Sequence, residues 1–177
     1  MRPFERDAAG TVTASFSALE RELLSDLATE VCELLGEGSR LSDDRMFAAT
    51  GIGGNDGPSD DPALARLLPD AYADDAAAAQ EFRHLTERSL ADRKISNARR
   101  VIASLGQRDE VAIDPDDQQA WLRTLTDIRL IIASRLGIET DDDTGRAESD
   151  ADMMMRDVYD WLAMVQGTLI EAIEAIE

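Results

Sequence analysis

The chain is short of the two residues on which most metal sites and many catalytic centres depend, with one cysteine, Cys32, and one histidine, His84, in 177 positions. A lone cysteine excludes a disulfide within the chain and fits a reducing compartment. A Ser-His-Asp or Cys-His catalytic system would have to use the single imidazole. No serine stands in a Gly-x-Ser-x-Gly context, and zinc sites built from His and Cys are excluded. No stretch approaches the roughly 20 apolar residues of a membrane span, and the first ten residues lack the apolar core of a secretory signal. The expectation is a cytoplasmic protein that is not an enzyme, holds no cofactor or metal and binds no membrane. His84, between Phe82 and Leu85, reads as a structural residue.

Positive charge is also scarce, with 18 Lys and Arg against 37 Asp and Glu and a net charge of -19. What there is of it is concentrated. Arg83, Arg88, Arg93, Lys94, Arg99, Arg100 and Arg108 fall in residues 83–108 beside only Glu87 and Asp92, so that window nets +5 and the remainder -24. An acidic body disfavours general attraction to nucleic acid. Its one basic segment is where a polyanion or an acidic partner surface would be met.

Length suits one domain over 1–177. The fold class expected is mainly α, a helical domain with a small N-terminal β-hairpin. Residues 2–6 and 11–16 read as strands flanking the turn-prone segment 7–10, and 110–113, with Val111 and Ile113 on one side, reads as a third strand. Ser17 and Glu20 form a capping box for an amphipathic helix over 17–36, closed by Gly36 and Gly38. Residues 37–60 read as a glycine-rich flexible loop in which only 41–49 could hold a short helix. The Gly51-Ile-Gly-Gly54 run lacks the preceding strand and following Lys-Ser/Thr of a phosphate loop. A short helix over 61–68 opens on Asp61 and Pro62.

Past a helical piece over 76–84 the apolar phase shifts, and Thr86 is the expected N-cap of a new helix over 87–105. Leu90, Ala91, Ile95, Ala98, Val101, Ile102 and Leu105 would share its buried side, with Arg88, Arg93, Arg99 and Arg100 on the other as a candidate partner-contact or DNA-contact stripe. Lys94 falls on the apolar side, where it must snorkel or find a carboxylate. The bland alternative for the stripe is internal pairing with the protein's own carboxylates, for example in the 139–152 linker. A helix from Asp114 and Pro115 to Gly137 follows. The acidic 139–152 stretch reads as too polar to pack, and Asp141, Asp142 and Asp143 lack the spacing and closing Glu of a calcium loop. The last helix starts near 150. Met153, Met154 and Met155 could give an adaptable binding surface, although two of the three fit a core-facing stripe and packing is the favoured reading. The same helix could bury its apolar face in a weak homodimer. Cys32, at the rim of its helix's apolar stripe beside Glu30 and Glu33, reads as a quiet thiol whose pKa those acids raise.

Met1-Arg-Pro-Phe4, Asp61-Pro-Ala-Leu-Ala-Arg-Leu-Leu-Pro-Asp-Ala-Tyr72, Glu81-Phe-Arg-His-Leu-Thr-Glu87, Ala120-Trp-Leu-Arg123, Ala133-Ser-Arg-Leu-Gly-Ile138 and Val158-Tyr-Asp-Trp-Leu162 carry a resemblance. Together they resemble an actinobacterial domain-of-unknown-function family, encoded beside the Clp-protease adaptor, that includes oxidation-sensing transcriptional regulators of the AosR type. The resemblance implies a regulator that forms an intramolecular disulfide under oxidative stress and associates with a stress sigma factor. This chain departs from that pattern, because Cys32 alone leaves only an intermolecular bridge, a mixed disulfide or a sulfenic acid as redox chemistry. The leading expectation is a transcriptional regulator contacting a sigma factor or other transcription protein, with DNA as a second candidate. The alternative is an adaptor or scaffold in Clp-dependent quality control.

Overall fold

A three-stranded antiparallel sheet starts the fold. Strands β1 (Arg2–Arg6) and β2 (Val12–Ser15) form the expected hairpin, and β3 (Glu110–Ile113) pairs with the free edge of β2, giving the order β1-β2-β3. Asp7 closes the turn: its Oδ1 accepts from the amides of Ala9 and Thr11, both at 2.9 Å, while Gly10 takes the left-handed φ of +87°. Alternation puts Phe4, Val12, Ala14, Val111 and Ile113 on one buried face. The structure is a computed structural model that describes residues 1–48, 61–69, 79–106, 109–140, 143–146 and 148–175, with the side chains of 37–48 and 79–87 excepted.

Five helices among the described residues cover that face. They are α1 (Ala18–Ala48), α2 (Pro62–Leu67), α3 (Ala79–Leu105), α4 (Pro115–Leu136) and α5 (Asp150–Glu174). Helix α4 is central, since α1, α2, α3 and α5 all pack on it. Its Trp121 is fully buried and lies parallel to Phe16 at 6.3 Å and edge-on to Phe4 at 6.0 Å. This trio joins sheet to helices, and the indole N–H donates to the Ser104 hydroxyl at 3.0 Å. Arg6 ties the far end of α5 to β1 by donating to the carbonyl of Ile173 at 2.7 Å, where a cation meets the negative end of the helix.

Helix ends follow the expected chemistry in three places. Asp61 caps α2 by accepting from Ala63 N at 2.8 Å, with Pro62 at the first helical position. Gly137, at φ +70°, closes α4 with its amide on Ala133 O and Ser134 O. Ser149 and Asp152 form a capping box on α5.

Three expectations are corrected. First, α1 does not stop at Gly36 but continues through residues 37–48 in place of the expected loop, so the 41–49 stretch is helical to Ala48 as part of α1. The reason is conformational: Gly36 does not adopt the left-handed φ of a helix-closing glycine. Within a helix it costs only about 1 kcal/mol relative to alanine. Residues 49–60, including the Gly51–Gly54 run, lie outside the described residues. Second, Thr86 caps nothing, because α3 is continuous from Ala79 to Leu105. A threonine inside a helix costs a few tenths of a kcal/mol up to about 0.7, too little to break one packed elsewhere along its length. The side chain of His84 is outside the described set. Third, the acidic stretch after α4 is exposed over most of its described residues, as its polarity predicts, but it is anchored to the end of α4 at Gly145 and Arg146. Arg146 N donates to Leu136 O at 2.8 Å, and Gly145, at φ +68°, sits against Ile138 and Leu136 so closely that Ile138 is buried. Asp143 accepts from the amides of Glu139 (2.8 Å) and Thr140 (3.1 Å), hydrogen bonds that hold its carboxyl below the usual range. Asp141 and Asp142 lie outside the described residues.

Candidate functional site

The cationic residues of α3 emerge on its solvent side: Arg88, Arg93, Arg99 and Arg100 are all exposed, while Ala91, Ala98, Val101 and Leu105 are buried on the other side. The arginines form two rows rather than one stripe. At about 100° per residue, Arg88 and Arg99 nearly superpose, as do Arg93 and Arg100, with roughly 120° between the pairs. Asp92 and Ser96, both exposed, lie in the gap. One row borders α1, where Arg99 acts on Cys32. The other borders α4, where Arg100 donates to Asp116 O at 3.1 Å and pairs with the Asp117 carboxylate. Internal pairing thus reaches Arg100 through the acidic first turn of α4 and not through the linker.

Lys94 meets the carboxylate its position demanded. It pairs with Asp127 of α4, which is 2% exposed. Burial pushes the Asp127 carboxyl above its ordinary value, while the hydrogen bond and charge of Lys94, and then Arg123, pull the other way. The pair locks α3 to α4 and so sets which way the arginine rows face. Cys32 sits half-buried between α1 and α3, its Sγ 3.8 Å from Ile95 O. Burial is the main cause that raises its thiol, Arg99 opposes it and Glu33 adds to it. Sequence spacing found Glu33 but not the dominant desolvation. Glu30, also expected to act on the thiol, instead faces Arg135 of α4 in an ion pair.

A second surface was not anticipated. Helices α1 and α5 stand apart over α4, leaving a groove of about 270 Å³. Leu23 and Leu27 form one wall, Ile128, Ile131 and Ile132 the floor, and Met154, Met155 and Val158 the other wall. Of Met154 and Met155, the two expected to pack, only Met155 is partly covered while Met154 is 71% exposed, and Met153, off the expected core-facing stripe, is 50% exposed. Periodicity identifies which residues share a face of α5. It cannot show that α1 fails to cover that face's first two turns. Leu19, one turn before Leu23, is 75% exposed and continues the apolar strip on α1.

Among the described residues no group of three or more His, Cys, Asp or Glu side chains could hold a metal ion, and no helix is long and apolar enough to cross a membrane. The described residues thus carry two outward surfaces, a cationic one on α3 and an apolar one framed by α1, α4 and α5. Residues 1–173 match the family described as "Domain of unknown function (DUF2017)", and the chain belongs to it. It is also similar to the protein of Mycobacterium leprae (strain TN) named "Putative oxidative stress regulator AosR", at 30% identity over 172 residues, covering 88% of this chain and 79% of that protein. No solved structure matches the chain at a significant level.

Proposed function

We propose that the protein is a non-enzymatic regulator of the oxidative-stress response that works through protein contacts, with the basic side of α3 meeting a sigma factor or another component of the transcription machinery. The similarity to the Mycobacterium leprae protein over 88% of this chain is the observation that carries the reading. The charge distribution supports it. Four exposed arginines on a chain of net charge -19 suit an oriented contact with an acidic protein surface. Free duplex DNA would be met by the surrounding carboxylates as well as by the arginines, so DNA is a weaker candidate unless a partner holds it there. Oxidant sensing within this chain would have to run through Cys32 as a mixed disulfide, an intermolecular bridge or a sulfenic acid, and a raised thiol pKa makes its thiolate scarce at neutral pH.

The test is cross-linking and affinity capture from cells before and after peroxide. It compares the wild type, Cys32→Ser, and a quadruple variant replacing Arg88, Arg93, Arg99 and Arg100 by Glu. A sigma factor or polymerase subunit captured by the wild type and lost from the quadruple variant is the expected result. Capture of Clp components in its place, or capture unaffected by the four replacements, would overturn the reading in favour of a quality-control adaptor or a different surface.

A further inference from the structure

We propose that the groove between α1 and α5 is a docking site for a short amphipathic helix of a partner protein, one with an apolar seam flanked by lysine or arginine. The seat itself is apolar. Its walls and floor come from Leu23, Leu27, Ile128, Ile131, Met154 and Val158; Met154 in the wall is left 71% exposed, and Leu19, flanking the groove, 75%. At about 270 Å³ it holds a few side chains rather than a whole small ligand. That is the size of the i, i+3/i+4, i+7 anchors by which one helix enters a groove between others. An unbranched methionine wall suits such an insertion because it repacks at little cost.

The rim selects the occupant. On α1, exposed Asp26 lies three residues after Leu23 and four before Glu30, which itself lines the groove. On α5, exposed Asp150 and Asp157 bracket Met154 at spacings of four and three. The cation at the mouth, Arg135, already pairs with Glu30. An apolar seat between two carboxylate rows rejects an acidic helix, whose charges would lie against like charges, and holds a basic one. The same reasoning disfavours a second copy of this chain. Its basic helix α3 already buries its own apolar side, and two copies meeting at this groove would bring their acidic rims together. The groove is separate from the arginine rows of α3, so the inference stands or falls independently of the function proposed above.

The test titrates the full chain with a labelled model peptide carrying leucines at helical i, i+3, i+4 and i+7 positions and lysines elsewhere, read by fluorescence anisotropy. A peptide with glutamates in place of the lysines, and one of identical composition with the leucine periodicity scrambled, serve as controls. The lysine peptide should bind at least tenfold more tightly than either control. Met154→Lys should weaken binding at least tenfold and Asp26→Lys severalfold; both positions are exposed, and circular dichroism checks that each variant stays folded. Replacing Arg88 and Arg93 by Glu should leave it unchanged. Equal binding of the scrambled peptide, or a Met154→Lys variant that binds as the wild type does, would overturn the proposal. So would a concentration-dependent dimer in sedimentation that Met154→Lys abolishes, which would make the groove a self-association surface, or binding to neutral phospholipid vesicles that the peptide does not displace.

Discussion

Removing Lys94 tests the contact that orients the arginine-bearing helix. In Lys94→Met the apolar stem is kept and the ammonium lost, leaving the Asp127 carboxylate 2% exposed without its cation. Its Oδ2 already has no hydrogen-bond partner among the described residues, and of the two cations acting on the carboxyl only Arg123, the weaker influence, remains. Breaking one side of a buried ion pair costs about 3–5 kcal/mol, a large part of the roughly 5–15 kcal/mol that holds a typical domain folded. The pH dependence has a definite sign. Burial raises the carboxyl in the folded state above its unfolded value. The native form therefore binds more protons than the unfolded one between those two values, and this group's contribution to stability falls as pH rises through that window. Losing Lys94 removes the main influence pulling the value down, so the window extends to higher pH. The deficit of Lys94→Met should thus be largest at neutral pH and shrink by at least half as the solution is acidified and Asp127 protonates. In the double variant Lys94→Met/Asp127→Leu most of the loss should return, because two apolar side chains replace a charge left alone. Urea unfolding followed by circular dichroism at two pH values measures all three proteins. A Lys94→Met cost below about 1 kcal/mol at neutral pH, or one that does not change with pH, would refute the reasoning.

Three further outcomes are expected. Trp121→Ala should cost about 3–5 kcal/mol and erase most of the near-ultraviolet circular dichroism, since it removes the ring that meets both Phe4 and Phe16. Two glycines should respond with opposite signs in thermal melts: Gly145→Ala should lose about 1–3 kcal/mol because its Cβ would lie 2.9 Å from Ile138 Cγ1 at a left-handed φ, whereas Gly36→Ala, inside α1 with nothing within 4 Å, should gain up to about 1 kcal/mol. Native Cys32 should react with an aromatic disulfide reagent at neutral pH more slowly than the urea-unfolded chain does, because burial raises its pKa and shields it.

Local chemistry made most of the fold legible in the sequence. The strand alternation, the Ser17-Glu20 capping box, the Asp61-Pro62 and Asp114-Pro115 starts and the Gly137 stop each act within a few residues, and each is where the chemistry of its side chain or backbone puts it. Lys94 was legible for the same reason, since a cation on an apolar stripe must be answered. The errors arose where a local signal was weaker than tertiary packing. Gly36 and Thr86 carry penalties of about 1 kcal/mol or less, and neither interrupts its helix. Spacing on α3 revealed that its arginines avoid the core, but not that they divide into rows facing different neighbours. The groove was invisible for a different reason: Leu23, Leu27 and Met154 carry the same periodic signal as core residues, and only the separation of α1 from α5 leaves them uncovered.

Ionic strength separates the two surfaces without any mutation. A contact made by the α3 arginines is largely electrostatic and exposed, so it weakens steeply once the screening length falls well below about 10 Å. A helix seated in the α1–α5 groove draws part of its affinity from apolar burial against Leu23, Leu27, Ile131 and Met154, a contribution that salt does not screen. Only its rim contacts with Asp26 and Asp157 fade. Partners captured from a lysate should therefore elute in order, those bound at α3 at low salt and those bound in the groove later. The Arg-to-Glu and Met154→Lys variants should each delete a different part of that profile. A single class of partner lost equally to both variants would mean that the two surfaces act as one, and that α1, which borders α3 through Cys32 and the groove through Leu23 and Leu27, couples them.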